Sequence, residues 1–192
     1  MVAENNGERI VKAGWQNWEG DATESLTLRE TKEGIFVESI ITKSGPESFT
    51  VRYTIACDAS WRTRNFEIIL IEQNEKLRLE SDGFGRWSHD PDVGAEINGA
   101  VDIDISATPF TNTLPIRRLR LKENETKEIS VVYVTVPELN VSAERQRYTC
   151  LIPNRRFRFE QMDTGFVREI ETDQEGLVLI YPGLFKRIQE TE

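Results

Sequence analysis

Two aspartates, Asp102 and Asp104, open the stretch richest in chemically capable side chains, DIDISATPFTNTLPIRRLRL from Asp102 to Leu121. Alternate residues of an extended chain share a face, so these carboxylates would stand about 7 Å apart on one side. Val101, Ile103 and Ile105 would take the other side. Paired carboxylates can hydrolyse a glycoside when one is held protonated, or supply half of an oxygen-ligated cation site. They can also form a solvated strand face or pair with nearby arginines, and that structural role is the expectation here.

Pro109 and Pro115 bracket a run of hydroxyl and amide side chains, Thr111, Asn112 and Thr113. Proline fixes local backbone angles, and such side chains bond neighbouring backbone groups. The segment therefore reads as a rigid loop: a structural corner or, alternatively, the polar rim of a cavity. Ile116-Arg-Arg-Leu-Arg-Leu then reads as a strand with Arg118 and Arg120 on one face. Arg117 would share the opposite face with Leu119 and Leu121. An inward guanidinium needs a carboxylate, phosphate or carbonyl partner, since its desolvation is otherwise costly. An inward aspartate such as Asp102 would serve structurally, and a ligand phosphate or sugar hydroxyl would serve functionally.

Trp61-Arg62-Thr-Arg64 and Gly83-Phe-Gly-Arg-Trp87 form a second group, in which rings beside arginines could make a platform for a sugar or a lipid headgroup. His89, in Ser-His-Asp-Pro-Asp, is the only histidine. No nucleophile elbow accompanies it, and no spacing suggests a metal site, so it reads as a solvated turn. Gly83 and Gly85 are an isolated pair of glycines with no following helix, so no phosphate loop or dinucleotide fingerprint is present. No cofactor is implied, and no set of residues identifies an enzyme. Cys57 and Cys150 each fall on the apolar face of a strand and read as reduced, inert core thiols.

The elements that must position these residues have period two. Phe49-Thr-Val-Arg-Tyr-Thr-Ile-Ala-Cys alternates apolar with small or polar residues, as do Leu77-Arg-Leu, Val101-Asp-Ile-Asp-Ile and Phe157-Arg-Phe. Phe66–Ile71 and Val131–Val136 are more uniformly apolar and suggest burial on both faces. Turn signals such as Lys43-Ser-Gly-Pro, Ser81-Asp-Gly and Asp173-Gln-Glu-Gly separate about 11 or 12 strands. The best helical candidate is a short turn within 183–188. The expected fold is all-β: an antiparallel, strongly curved sheet or a partly closed β-barrel, one domain over 1–192, with 1–14 as a fraying terminus.

Acidic residues outnumber basic ones, 33 against 24, for a net charge of −9. That sign disfavours nucleic acid, whose phosphates call for the opposite bias, and adsorption to an anionic membrane. No secretory signal and no apolar run long enough to span a membrane is visible, so a cytoplasmic location is expected. Oligomeric state has no signature.

Several stretches in colinear order resemble one bacterial group, the putative glycolipid-binding family. They are Asp58-Ala-Ser-Trp-Arg-Thr-Arg, Asp82-Gly-Phe-Gly-Arg-Trp, Asp102–Leu119, Val136-Pro, Gln146-Arg147-Tyr148-Thr, Gly176-Leu-Val and Tyr181-Pro-Gly-Leu-Phe. Where the family pattern has Asp-Gly-Cys ahead of the central strand, this chain has Asn98-Gly-Ala, which leaves no thiol there. The resemblance implies a curved sheet similar in outline to bacterial lipid-carrier folds, and a lipid or glycolipid ligand. It supplies no catalytic residues. The matched positions Trp61, Arg62, Arg64, Trp87, Asp102, Asp104, Arg117, Arg118, Arg147 and Tyr148 become the candidate ligand contacts. The alternatives are a non-enzymatic structural or interaction domain whose charges neutralise one another, and a hydrolase using Asp102 and Asp104.

Overall fold

The computed structural model of the chain describes residues 2–5, 7–89 and 97–188. Alternating sequence becomes alternating burial. In β5 (Phe49–Asp58) every second residue from Phe49 to Cys57 is buried, and β4 (Gly34–Lys43) buries Ile35, Val37, Ser39 and Ile41 in the same way. These strands belong to an antiparallel meander, β2 (Glu8–Asn17), β3 (Ala22–Glu30), β4, β5, β6 (Thr63–Leu70), β7 (Glu75–Ser81) and β8 (Trp87–His89). The segment expected to fray contains β1 (Val2–Asn5), which pairs with β2, and the first part of β2 itself.

A second meander runs through β10 (Thr126–Val134), β11 (Val141–Ile152), β12 (Arg156–Gln161), β13 (Phe166–Thr172), β14 (Val178–Tyr181) and β15 (Phe185–Ile188). β15 occupies the stretch expected to hold a helical turn, and it pairs antiparallel with β2, fusing both meanders into one sheet. Trp15 reinforces the junction, its indole N–H donating to the Val178 carbonyl at 2.8 Å. β9 (Asp102–Ile105) lies parallel to β10, so the sheet is mixed. Among the described residues it has 15 strands, more than the turn signals indicated.

The sheet is strongly curved and does not close into a barrel. β8 and β9 are its two ends and do not pair. They are tied indirectly: Gly99 N–H donates to the Gly85 carbonyl at 2.8 Å, and the Trp87 indole donates to the Ala100 carbonyl at 2.8 Å. Such ties cover edge groups that would otherwise invite pairing with another chain. The expectation of two-sided burial holds at Val131 and Val132, both buried, but not over 66–71, where Ile69 on β6 is half-buried and Ile71, just beyond the strand, is exposed.

The main departure from a strand reading lies in the central segment. A 3-10 turn at Phe110–Asn112 runs directly into α1 (Thr113–Leu119), so Arg117 and Arg118 stand on a helix and do not alternate across a strand. Pro115 sits in the first turn, where its missing N–H costs no intrahelical bond. Arg117 and Arg118 fall in the last turn, where positive charge suits the helix dipole, and Arg120 ends the helix in a left-handed conformation (φ 50°). With only seven residues, the helix is too short to display a 3.6-residue period.

This segment plugs the concave side of the sheet. Phe110 and Leu114 join the larger apolar cluster with Trp15, Tyr53, Phe66 and Ile103. Ile116 joins the smaller one with Tyr148, Cys150, Phe157, Phe159 and Ile170. Thr113 Oγ1 donates to the Gly176 carbonyl at 3.0 Å, pinning the helix against the β13–β14 turn. Gly176 has φ 77°, and a Cβ there would lie 3.2 Å from Ile116 Cγ2. Gly176→Ala is therefore expected to cost about 1–2 kcal/mol through left-handed strain, with extra crowding of Ile116. Urea unfolding would show a lower midpoint with an unchanged m-value.

Candidate functional site

The ten residues singled out by sequence do not converge on one place. Asp102 is completely buried and accepts two bonds from Arg118, Nε at 2.9 Å and NH2 at 2.5 Å. Burial holds its carboxyl above the ordinary range, against the opposing pull of Arg118. The pairing of a central aspartate with an arginine is thus present, but the partner is Arg118, not Arg117. Arg117 instead bonds Glu30 at 3.2 Å and Glu175 at 3.1 Å, and its guanidinium lies 4.6 Å from the Trp61 ring centroid.

The other candidates have similar internal partners. Arg62 stacks over Phe84, and Arg64 donates to the Ser81 carbonyl beside a shallow polar recess that also includes Asp58 and Glu80. Arg147 is flanked across the strands by Glu128 on β10 and Glu160 on β12, with which it pairs. Both cysteines are free and buried, and burial pushes the Cys57 thiol up. The run containing His89 continues into residues 90–96, outside the described residues.

Asp104 is different. Its side chain accepts from Thr111 Oγ1 at 2.7 Å and from Gln146 Nε2 at 2.6 Å. It lines a pocket of about 460 Å³ on the concave face. Burial raises its pKa above the usual carboxylate range, and the charge of Glu144, another lining residue, pushes it further. Tyr148 stands directly behind, its hydroxyl donating to Asn112 Oδ1 at 2.9 Å. Thr108 and Asn112, from the proline-bracketed segment, line the same pocket, so that segment is both a packed corner and part of a cavity wall.

Beside these polar groups the lining is aromatic. Phe159, Phe166, Tyr181 and Phe185 line it, with neighbouring centroids 6.1–6.5 Å apart and mostly edge-to-face. Tyr133 and Leu184 also line the pocket, and the Tyr133 hydroxyl is shifted upward by burial, then by Asp104 and Glu144. The lining thus combines amides and carboxylates with ring faces and edges, as in many small-molecule sites. Among the described residues there is no group of three or more side chains suited to a metal ion.

Sequence reasoning missed Tyr133, Glu144, the aromatic wall and, behind the pocket, Glu24. Glu24 is buried within β3 and accepts from Ser39 and Tyr53 at Oε1 (2.7 and 2.6 Å) and from Thr108 at Oε2 (2.6 Å). Burial, partly offset by these bonds, pushes its carboxyl up to about 7. A signal was available: Glu24 is in phase with the inward Leu26 and Leu28, just as Gln146 is with Tyr148 and Cys150.

A family model described as "Putative glycolipid-binding" matches residues 12–187. The chain belongs to this family. A solved structure of similar shape is the crystal structure of a DUF1089 family protein from Pseudomonas aeruginosa, 33% identical, with TM-score 0.74 over 86% of this chain and 92% of that one. No curated protein matches. The family is the one that the sequence resembles, and the solved structure shares the fold described above. Among the described residues no helix is long and apolar enough to cross a membrane.

Proposed function

We propose that the protein binds an amphiphilic molecule of the lipid or glycolipid class in the pocket between Asp104 and the aromatic wall. The observation that carries this reading is the pocket's mixed lining: Asn112, Glu144, Gln146 and Gln161 border about 460 Å³ together with Phe159, Phe166, Tyr181 and Phe185. A sugar ring suits such a site, since its apolar face stacks on aromatic rings while its hydroxyls bond amides and carboxylates. The family description supports the same ligand class.

Of the sequence candidates, Asp104 is the proposed direct contact and Tyr148 supports the polar wall through Asn112. Arg118 and Asp102 act on the site by holding α1 against β9. Trp61, Arg62, Arg64, Trp87, Arg117 and Arg147 take part in core packing, stacking and ion pairs and are not among the residues lining this pocket. A non-enzymatic role in the cytoplasm fits the reading. The pair Asp102 and Asp104 is poorly suited to hydrolysis, because Asp102 is spent on Arg118.

Native mass spectrometry of gently purified protein is expected to show a bound lipid-sized species, and an apolar dye held in the pocket should be displaced by octyl glucoside. Phe166→Ala removes a half-buried ring of the wall and should weaken octyl glucoside binding about ten-fold, the equivalent of roughly 1.4 kcal/mol. Absence of any bound species together with no dye displacement refutes the reading.

A further inference from the structure

The same pocket carries a more specific inference, which rests on the reading that it holds a ligand head. Asp104 and Glu144 face one cavity, and their hydrogen-bond partners are neutral: Thr111 and Gln146 for Asp104, Ser142 and Gln161 for Glu144. Among the described residues no lysine or arginine lines the pocket. Glu24 too is held by neutral groups alone, the hydroxyls of Ser39, Tyr53 and Thr108, but several other partly or fully enclosed carboxylates of the sheet have a basic partner. Asp102 has Arg118, Glu30 and Glu175 share Arg9 and Arg117, and Asp173 has Arg187. Two carboxylates beside one cavity with no basic partner repel one another, and the pair relieves this by taking up a proton or a cation.

We propose that the head group recognised here bears a positively charged amine, as an amino sugar does, in preference to a neutral or anionic head. The ammonium would lie between Asp104 and Glu144, and the ring faces of the aromatic wall favour a cation as well. Arg168 already stacks over Phe166 at 4.5 Å from its centroid, so rings of this wall do accept a cation, and Phe159, Tyr181 and Phe185 remain for the ligand. A phosphate head would bring a third negative charge into a site without a basic lining residue. The net charge of −9 also favours the approach of cations over anions.

The test compares octyl glycosides that share ring and tail: the 2-amino-2-deoxyglucoside and its N-acetyl derivative, with octyl phosphate as the anionic arm. Calorimetric titration of the full chain below the micelle concentrations is expected to give at least ten-fold tighter binding for the free amine than for the acetylated form. No measurable binding of octyl phosphate is expected. In Glu144→Gln, whose side chain is half-buried and whose fold should persist, the preference should fall to a few-fold, and Asp104→Asn should lower it further. Equal binding of amine and acetamide, or tightest binding of the phosphate, overturns the charge preference while leaving the pocket as a ligand site. Failure of all three to bind overturns the pocket reading itself.

Discussion

Replacing Arg118 by methionine is expected to destabilise the protein by about 3–5 kcal/mol, because a fully buried carboxylate then loses its only charged partner. Asp102 has no solvent exposure and receives both its charge-assisted bonds from Arg118. For a chain of this size the melting temperature should fall by roughly 10 °C. Asp102→Leu should cost less, since the Arg118 side chain retains 17% exposure and can turn toward water. The double variant Asp102→Leu/Arg118→Met should be less damaging than Arg118→Met alone, as expected when both members of a buried pair are replaced by apolar groups. Combining Asp102→Leu with Arg117→Met should instead be close to additive, because Arg117 is committed to Glu30 and Glu175. A loss below 1 kcal/mol for Arg118→Met, or coupling of Asp102 to Arg117, would contradict this assignment.

Glu24 should make the protein less stable as pH rises. Its carboxyl is lifted from 4.5 to about 7 by burial, so between those values the folded state holds a proton that the unfolded chain has released. Stability then falls with increasing pH, from full strength below about 4.5 to its lowest contribution above about 7. The full swing is about 3 kcal/mol, from 1.36 kcal/mol per pKa unit. Asp102 and Asp104 are shifted in the same direction and add slope of the same sign. Glu175, lowered by Arg9, and Asp163, lowered by Arg145, act oppositely: their contribution is lost as pH falls through their folded values. Glu24→Gln keeps the shape and an acceptor for Tyr53 and Ser39 but cannot ionise. Urea unfolding across pH 5–8 should therefore show a flatter profile for the variant, with its relative advantage greatest at pH 8. A parent protein whose stability does not change between pH 5 and 8, or an unchanged slope in Glu24→Gln, would count against a neutral buried Glu24.

Much of the fold can be read locally. The alternation from Phe49 to Cys57 correctly divides inward from outward residues, because strand side chains have a period of two, whereas β9 buries Asp102 as fully as its in-phase Ile103 and Ile105. The all-β class, curvature and covered edges follow from many such strands with no long helical pattern. The family was legible as well, since its central motif is long and unusual in composition. The same rule misassigned Ile116 to Leu121, where two prolines and seven helical residues plug the sheet. A tertiary demand for a compact plug overrode a weak local preference there.

The candidate site was much less visible. Asp104 was picked out from its strand phase, but nothing local shows that Asp102, two residues away, meets Arg118 while Asp104 meets Gln146. The aromatic wall comes from β12, β13, β14–β15 and the turn between them, and the polar wall from β9, the 3-10 turn and β11. Glu24 finds Thr108 across 84 residues of chain. By itself, then, the amino-acid sequence determined the strands and the phase in which their side chains alternate, since backbone pleat and side-chain polarity are properties of neighbours. Which inward residues meet, and whether they enclose a pocket or an ion pair, was decided only by the tertiary structure. Strand register, sheet curvature and the seating of one short helix arise from the whole sheet closing over its core.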